Sequence, residues 1–289
     1  MIKMESRLRH RGTMLNFRPQ AYWDTGIVSV ASALSAQDIR EINAKVDLYL
    51  ANHTYGVVRE DGGDSVRAVH GLHLVDPFFG SLSERPDFVD SVEEILGGSV
   101  YVHQFKINLK VARFGESWPW HQDYIFWKEL DGIGRPDLVN LAIYLSDADI
   151  DAGPLRFLPG SHHWGDVCQR VTRDAGANGS GIDSDWQSNV ARNLTFQVPA
   201  PALQTHLAQV APITAIRSAG DADIFHPQLV HGSGPNTSAF DRRLLIITYN
   251  RTDNLPELGA RRRPDFLCSQ RFEPIRLPTK KEVSEDVRI

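Results

Sequence analysis

The chain is poor in cysteine, has no long apolar run and carries no excess of basic residues, and each shortage excludes a class of protein. Two cysteines, Cys168 and Cys268, among 289 residues are too few for a disulfide framework or a cysteine-based zinc site. Without a stretch of 18 apolar residues, no membrane span is expected. The 31 basic and 36 acidic residues give a net charge of −5, which argues against a nucleic-acid partner. The polar first residues lack the apolar core of a secretory signal, so we expect a cytoplasmic protein.

The first third of the chain carries helical signals. Hydrophobic residues make up 42% of the sequence, enough for a sizeable core. Ser35 and Asp38 form a capping box ahead of apolar residues at helical spacing, which predicts an amphipathic helix over 36–52. A second helix is predicted to begin at Pro86 and to end at Gly97.

Beyond these helices the chain consists of short β-branched or aromatic runs separated by Gly, Pro, Asp and Ser, such as VYVHQFKINLKVARF, VNLAIYLSD and RRLLIITYN. This pattern predicts a mainly β fold with flanking helices, a double-stranded β-helix of the jelly-roll or cupin-like barrel type. We interpret residues 1–289 as one domain, with a helical part at about 20–98 and a barrel at about 99–252. A polar stretch at about 166–208 is interpreted as an active-site lid, with a disordered loop as the alternative.

The triplet His121-Gln122-Asp123 is the best candidate for a metal site. Residues i and i+2 of a strand point to the same face, so His121 and Asp123 could hold one ion together. A third ligand is offered by His226 or His231 in a later segment. Two histidines and one carboxylate are typical of iron(II) oxygenases, and zinc accepts the same set. The residues alone leave open both the metal and the third ligand.

Binding of a co-substrate would distinguish an iron(II) site from a zinc site. 2-Oxoglutarate chelates iron through its keto oxygen and one carboxylate, and its far carboxylate needs a cation, for which arginine is well suited. Arg242 and Arg243 are adjacent on a predicted strand, so only one of them can point into the barrel. The other is then a surface arginine.

Three segments, HQD, GPLRFLPGSHHWG and VHGSGPNTSAFDRR, together resemble the phytanoyl-CoA dioxygenase family of iron(II)- and 2-oxoglutarate-dependent oxygenases, in particular its ectoine hydroxylase-like members. The resemblance covers about residues 20–252. The family's motif residues occur here in order: Gln104, Lys106, Asn108, Lys110, Trp120, His121, Asp123, Trp127, Asp131, Gly132, His231, Gly232, Ser233, Asn236 and Arg242.

This resemblance implies a role for each candidate residue. The family's arginine follows the distal histidine by eleven positions, which selects His231 over His226 and Arg242 over Arg243. The implied metal ligands are His121, Asp123 and His231. The implied 2-oxoglutarate contacts are Arg242, Ser233, Lys110, Asn108 and Gln104, some of which can contact substrate instead.

The substrate contacts are predicted less directly. Trp127 is implied by the resemblance, and Trp118 and Phe126 belong to the aromatic cluster around the metal segment. Arg67 could pair with a substrate carboxylate, with a structural ion pair as the more ordinary interpretation. The basic run at 260–264 is interpreted as solvated surface, with capture of an anionic substrate as the alternative.

The implied activity is hydroxylation of an unactivated C–H bond in a small molecule, either an amino acid-like compound or an intermediate of specialised metabolism. Iron(II) is the cofactor, 2-oxoglutarate and O2 are co-substrates, and succinate and CO2 are released. Related halogenases have Gly or Ala in place of Asp123, so this carboxylate favours oxygenation. Desaturation, cyclisation or epoxidation by the same chemistry, and a zinc-dependent or non-catalytic cupin-like protein, are the alternatives. We expect a monomer or homodimer.

Overall fold

The computed structural model describes residues 14–60, 63–171, 190, 194–257 and 263–277. Within these ranges the helices are Pro19–Thr25 (α1), Ala36–Asn52 (α2), Leu72–Val75 (α3), Pro77–Ser83 (α4), Pro86–Leu96 (α5), Tyr124–Asp131 (α6) and Ala200–Gln209 (α7). The strands of the first half are Ile27–Val30 (β1), Val57–Arg59 (β2), Val66–His70 (β3), Val100–Lys110 (β4), Trp118–His121 (β5) and Leu138–Tyr144 (β6). Those of the second half are Leu155–Phe157 (β7), Gln169–Arg170 (β8), Phe196–Gln197 (β9), Ile213–Thr214 (β10), Ala222–Phe225 (β11), His231–Ser233 (β12) and Arg242–Arg251 (β13).

Both predicted helices are confirmed together with their ends. At the start of α2 the Asp38 amide donates to Ser35 Oγ at 3.2 Å, and the Ser35 amide donates to the Asp38 carboxylate at 3.0 Å. The helix α5 ends at Gly97, whose φ of 68° lies in the left-handed region that glycine adopts without strain.

Two antiparallel sheets face each other and form the barrel. The large sheet has the order β1-β11-β6-β13-β4-β3-β2, and the small one has the order β10-β7-β12-β5. The strands β4, β6 and β13 are distant in sequence but lie side by side at the centre of the large sheet. The predicted double-stranded β-helix is therefore confirmed.

Alternation along the central strands divides the large sheet into two faces. The outward residues, such as Leu141, Ile143 and Leu245, pack against apolar residues of α2 and α5 in the main core. The inward residues, such as Tyr144 and Ile246, pack against the small sheet in a second cluster. This division leaves the inner face of β4, β6 and β13 to line the space between the sheets.

Two peripheral segments close over one end of that space. The described part of the predicted lid contains α7 and the β8–β9 pair, and the buried Val190 and Leu194 point toward the barrel. The rest of the predicted lid lies outside the described residues. From the C-terminal side, Phe266 and Leu267 pack against Val58 and Ala68. In the part of the chain that the structure describes, no helix is long and apolar enough to cross a membrane.

Replacing Ser35 with Ala should lower the free energy of unfolding by about 1 kcal/mol, because the amide of Asp38 loses its acceptor at the helix start. Urea denaturation monitored by circular dichroism measures this change. Ser35→Asn keeps an acceptor and should restore most of the loss. Equal destabilisation by both variants would contradict the capping role.

Candidate metal centre

Two histidines face each other across neighbouring strands of the small sheet. His121 ends β5, and it is the direct antiparallel partner of His231, which begins β12. Their ring centroids lie 4.3 Å apart, and both residues are buried. The strand register therefore brings two imidazoles from distant parts of the sequence to one point.

Each imidazole is oriented by a carbonyl two residues earlier in the chain. His121 Nδ1 lies 2.7 Å from the oxygen of Pro119, and His231 Nδ1 lies 2.9 Å from that of Leu229. Because a carbonyl only accepts, the proton of each neutral ring resides on Nδ1 and the Nε2 lone pair is left free. Burial, reinforced by His121, lowers the pKa of His231 to about 3, so this ring is neutral at physiological pH.

Asp123 supplies a carboxylate to the same point, but not from the strand on which we predicted it. The strand β5 ends at His121, and Asp123 has helical φ and ψ of −68° and −38° at the entry to α6. The expected i, i+2 alternation is therefore wrong, and a turn brings the carboxylate round instead. Its oxygens lie 3.6 Å from His121 Nε2 and 3.8 Å from His231 Nε2.

The carboxylate of Asp123 is ionised and held in place. Burial alone opposes its ionisation, but Lys106 at 3.7 Å and the two histidines outweigh burial and hold the pKa of Asp123 well below its usual range. Asn140 donates to Asp123 Oδ2 at 2.8 Å and itself accepts from Thr248 at 2.7 Å. Two imidazoles and one anionic carboxylate form a ligand set suited to a divalent metal ion.

A buried cation lies on the same inner face of the barrel. Arg242 points inward, whereas the adjacent Arg243 points outward and pairs with Asp47 of α2 at 2.8 Å. Arg242 donates to the carbonyl of Gly153 at 3.3 Å, but its Nε and Nη1 have no hydrogen-bond partner among the described residues. Burial lowers its pKa to about 10, so it remains charged. A buried guanidinium with free donors requires an anion.

Lys110 adds a second basic side chain beside Arg242. The two residues are direct partners in the β13–β4 register. Lys110 Nζ donates to Ser233 Oγ at 2.8 Å and to the carbonyl of Gly234. Burial, together with the charges of Arg242 and Arg67, lowers the pKa of Lys110 to about 5. An arriving carboxylate would offset that repulsion and favour the charged form of the lysine.

A cavity connects the histidine–aspartate group with Arg242. Gln104 and Asn108 reach it from alternate positions of β4, and three of the predicted substrate contacts, Trp118, Phe126 and Trp127, line it as well. Lys110 and Ser233, which are hydrogen-bonded to each other, are not among the described lining residues.

Arg67, the fourth predicted substrate contact, is not among the described lining residues either. Its guanidinium pairs with Glu60 at 2.9 Å, donates to the carbonyl of Ser117 at 3.1 Å and stacks 3.7 Å from the ring centre of Trp118. Its Nε also donates to the carbonyl of Val190 at 3.2 Å, so Arg67 supports two residues that line the cavity, Trp118 and Val190.

His226, the rejected candidate ligand, lies elsewhere. Its ring packs against Tyr22 and Trp23, and its Nδ1 accepts from the amide of Gln228 at 3.1 Å. It is not part of the His121–Asp123–His231 group.

Among the polar residues that line the cavity, sequence reasoning assigned no site role to His70, Lys106 or Arg263. Lys106 could have been found from the sequence, because Gln104, Lys106 and Asn108 occupy every second position of β4 and therefore point to the same face of the sheet. No local signal marked His70. The interpretation of the 260–264 run as solvated surface is wrong for Arg263.

The Arg263 side chain is only 10% exposed, and its Nε donates to Asp131 at 2.8 Å. Asp131 also belongs to a second group of possible metal ligands, with His103 and Cys268. Because the guanidinium already pairs with this carboxylate, Asp131 is not free to serve as a metal ligand in that group.

The fold and the site together define a metal-binding β-barrel of the cupin class. The family model of phytanoyl-CoA dioxygenase (PhyH) matches residues 22–244. The chain therefore belongs to the phytanoyl-CoA dioxygenase family, as the motifs predicted.

Individual relatives agree with this membership. The chain is 38% identical to L-proline trans-4-hydroxylase of Streptomyces griseoviridis, over 88% of this chain and 92% of that protein. It is 26% identical to ectoine dioxygenase of Bordetella bronchiseptica, over 89% and 83% of the two chains. The crystal structure of EctD from S. alaskensis with 2-oxoglutarate and 5-hydroxyectoine superposes with a TM-score of 0.71 at 21% identity, covering 87% of this chain and 82% of that one.

Replacing Asn140 with Ala should weaken divalent metal binding by about 10- to 100-fold, because Asp123 loses the donor that orients it. Titration with Co(II), followed by its visible absorption, measures the affinity. Asn43→Ala removes a matched amide on α2, which bonds the carbonyl of Leu145 outside the barrel, and should leave the affinity unchanged. Equal losses in both variants would refute the orienting role.

Proposed function

We propose that this protein is an iron(II)- and 2-oxoglutarate-dependent dioxygenase that hydroxylates an unactivated C–H bond of a small amino acid. One observation carries the proposal. A cavity joins two imidazoles and an ionised carboxylate to a buried guanidinium whose free donors suit an anion. Neither the zinc-dependent nor the non-catalytic alternative by itself calls for that second feature, whereas 2-oxoglutarate supplies the anion.

In this proposal His121, Asp123 and His231 would hold iron(II), for which two histidines and one carboxylate are a typical ligand set, with 2-oxoglutarate and O2 as co-substrates. Arg242 binds the far carboxylate of 2-oxoglutarate, with Ser233 and Lys110 beside it. The bound metal and co-substrate supply the oxidising chemistry, in which 2-oxoglutarate is converted to succinate and CO2 and the substrate is hydroxylated. The protein orients the target C–H bond and excludes water with its aromatic walls.

The relatives support an amino-acid substrate. One is named L-proline trans-4-hydroxylase and others are named ectoine dioxygenases, and both of these substrates are small ring compounds that carry a carboxylate. Trp118, Phe126 and Trp127 offer apolar surfaces against which such a ring can pack. The carboxylate of Asp123 favours hydroxylation over halogenation. We further propose that the enzyme is cytoplasmic and either monomeric or homodimeric.

Anaerobic addition of iron(II) and 2-oxoglutarate to the folded protein should produce the weak visible charge-transfer band of the iron chelate. Addition of O2 and L-proline should then release succinate in step with hydroxylated product. A folded protein that never develops the band would refute the proposed function.

Replacing His231 with Ala should abolish both the band and turnover, since one metal ligand is lost. His226→Ala is the matched control, because it removes a buried histidine that packs on Tyr22 and Trp23. This control should keep the band and lose about 1 to 3 kcal/mol of stability. The reverse pattern would mean that the ligand assignment is wrong.

Replacing Arg242 with Gln should raise the dissociation constant for 2-oxoglutarate about 30-fold or more, because a buried ion pair in which one partner is truncated loses about 2 kcal/mol or more. Iron affinity should change little. The adjacent Arg243→Gln variant breaks the outward contacts with Asp47 and Asn43 on α2 and should bind 2-oxoglutarate normally. Titration of the charge-transfer band measures both variants, and equal affinities would contradict the assignment of Arg242.

A further inference from the structure

The cavity has a polar corner to which the proposed metal and 2-oxoglutarate sites assign no role. His70, the last residue of β3, lines the cavity and is only 2% exposed. Among the described residues, neither Nδ1 nor Nε2 of this imidazole has a hydrogen-bond partner. Buried polar groups are rarely left unpaired, so a ligand group is the expected partner.

The position of His70 is held firmly by its neighbours. Its backbone amide donates to the carbonyl of Gly56 at 2.8 Å, and the Gly71 amide donates to that of Phe105 at 2.8 Å. The ring of Phe266 covers the imidazole, with centroids 6.4 Å apart. The unpaired nitrogens therefore belong to a fixed ring at the cavity wall.

The electrostatic surroundings favour an anion at this corner. Lys106 is the direct cross-strand partner of His70, and Arg263 lines the same cavity. Burial and then the charges of Lys106 and Arg263 lower the pKa of His70 to about 3, so the ring is neutral and keeps one N–H donor. Lys106 lies 3.7 Å from Asp123 and Arg263 pairs with Asp131, so both cations are partly neutralised. They are nevertheless the charged side chains that act on His70, and both would attract a carboxylate.

The corner lies close to the metal centre. Lys106 stands opposite His70, and its Nζ is 3.7 Å from the carboxylate of Asp123. A small molecule whose carboxylate contacts His70 would therefore pass the side chain of Lys106 on its way to the proposed metal ligands. Phe126 and Trp127 line the same cavity and can cover its apolar part.

We propose that His70 is a specificity-determining residue that donates a hydrogen bond to the carboxylate of the free amino-acid substrate, between the charges of Lys106 and Arg263. This inference rests on the proposed hydroxylase function and adds to it the chemical group by which the substrate is selected.

The experiment compares two ligands that differ only at the carboxyl group, L-proline and L-prolinamide. Their dissociation constants are measured by anaerobic calorimetry on protein loaded with iron(II) and 2-oxoglutarate. The wild type should prefer L-proline by about 10-fold or more, because the neutral amide oxygen accepts a weaker hydrogen bond than a carboxylate does and is not attracted by the positive charges of Lys106 and Arg263. His70→Leu and His70→Phe should weaken L-proline binding by about 10-fold and L-prolinamide binding by less than about 2-fold.

Two further variants separate recognition from packing. His70→Asn keeps an N–H donor near the position of Nδ1 and should recover most of the L-proline affinity. His73→Leu removes a partly buried histidine that stacks on Phe105 and is absent from the described cavity lining, and it should change neither constant. The charge-transfer band serves as the folding control, and if one removal variant fails to form it, the other carries the test.

Equal losses for both ligands in the His70 variants, or no loss for either, would overturn the inference. A wild type that forms the band yet binds neither L-proline nor ectoine would also overturn it, and the proposed hydroxylase class would still stand. A wild type without the band would instead remove the proposed function itself.

Discussion

Antiparallel pairing of β5 with β12 is the constraint on which the rest of the site depends. It sets His121 opposite His231, and the carbonyls two residues before each ring hold both imidazoles in one tautomer. The two Nε2 atoms then face the place to which the turn into α6 brings Asp123. A slip of one residue in either strand would turn a ring to the opposite face of the sheet, so the backbone hydrogen bonds determine the geometry of the ligand group.

Basic side chains dominate the surroundings of the cavity. Lys106 lies beside Asp123, and Arg263 lies beside Asp131. Among the described residues, no carboxylate pairs with Arg242. Burying a cation without a partner is unfavourable, so the interior is best satisfied when anions are bound. In our proposal the carboxylates of 2-oxoglutarate and of the amino-acid substrate supply this negative charge at two separate parts of the cavity. One cavity can therefore hold both ligands, each at its own place.

Local sequence rules predicted the parts of the fold that local physics determines. The capping box and apolar spacing of α2 and the glycine that ends α5 act within a few residues, and both helices were predicted correctly. The helix α6 was missed because Tyr124–Trp127 is an aromatic run that also suits a strand. That error placed Asp123 on β5. The environment of Arg263 was also misread, since its partner Asp131 lies far away in the sequence.

The sequence by itself determined the family, the residue types of the metal group and the common face of Gln104 and Asn108, because ordered motifs and a period of two are properties of the chain alone. The residue pattern left open the choice between Arg242 and Arg243 and between His226 and His231, and the family resemblance implied Arg242 and His231. The tertiary structure shows Arg242 pointing inward and His226 lying apart from the metal group. It alone shows that His70 meets the cavity without a hydrogen-bond partner among the described residues. These features depend on which distant strands become neighbours. The free energy that favours this pairing comes from contacts throughout the barrel, so no single position in the sequence reveals it.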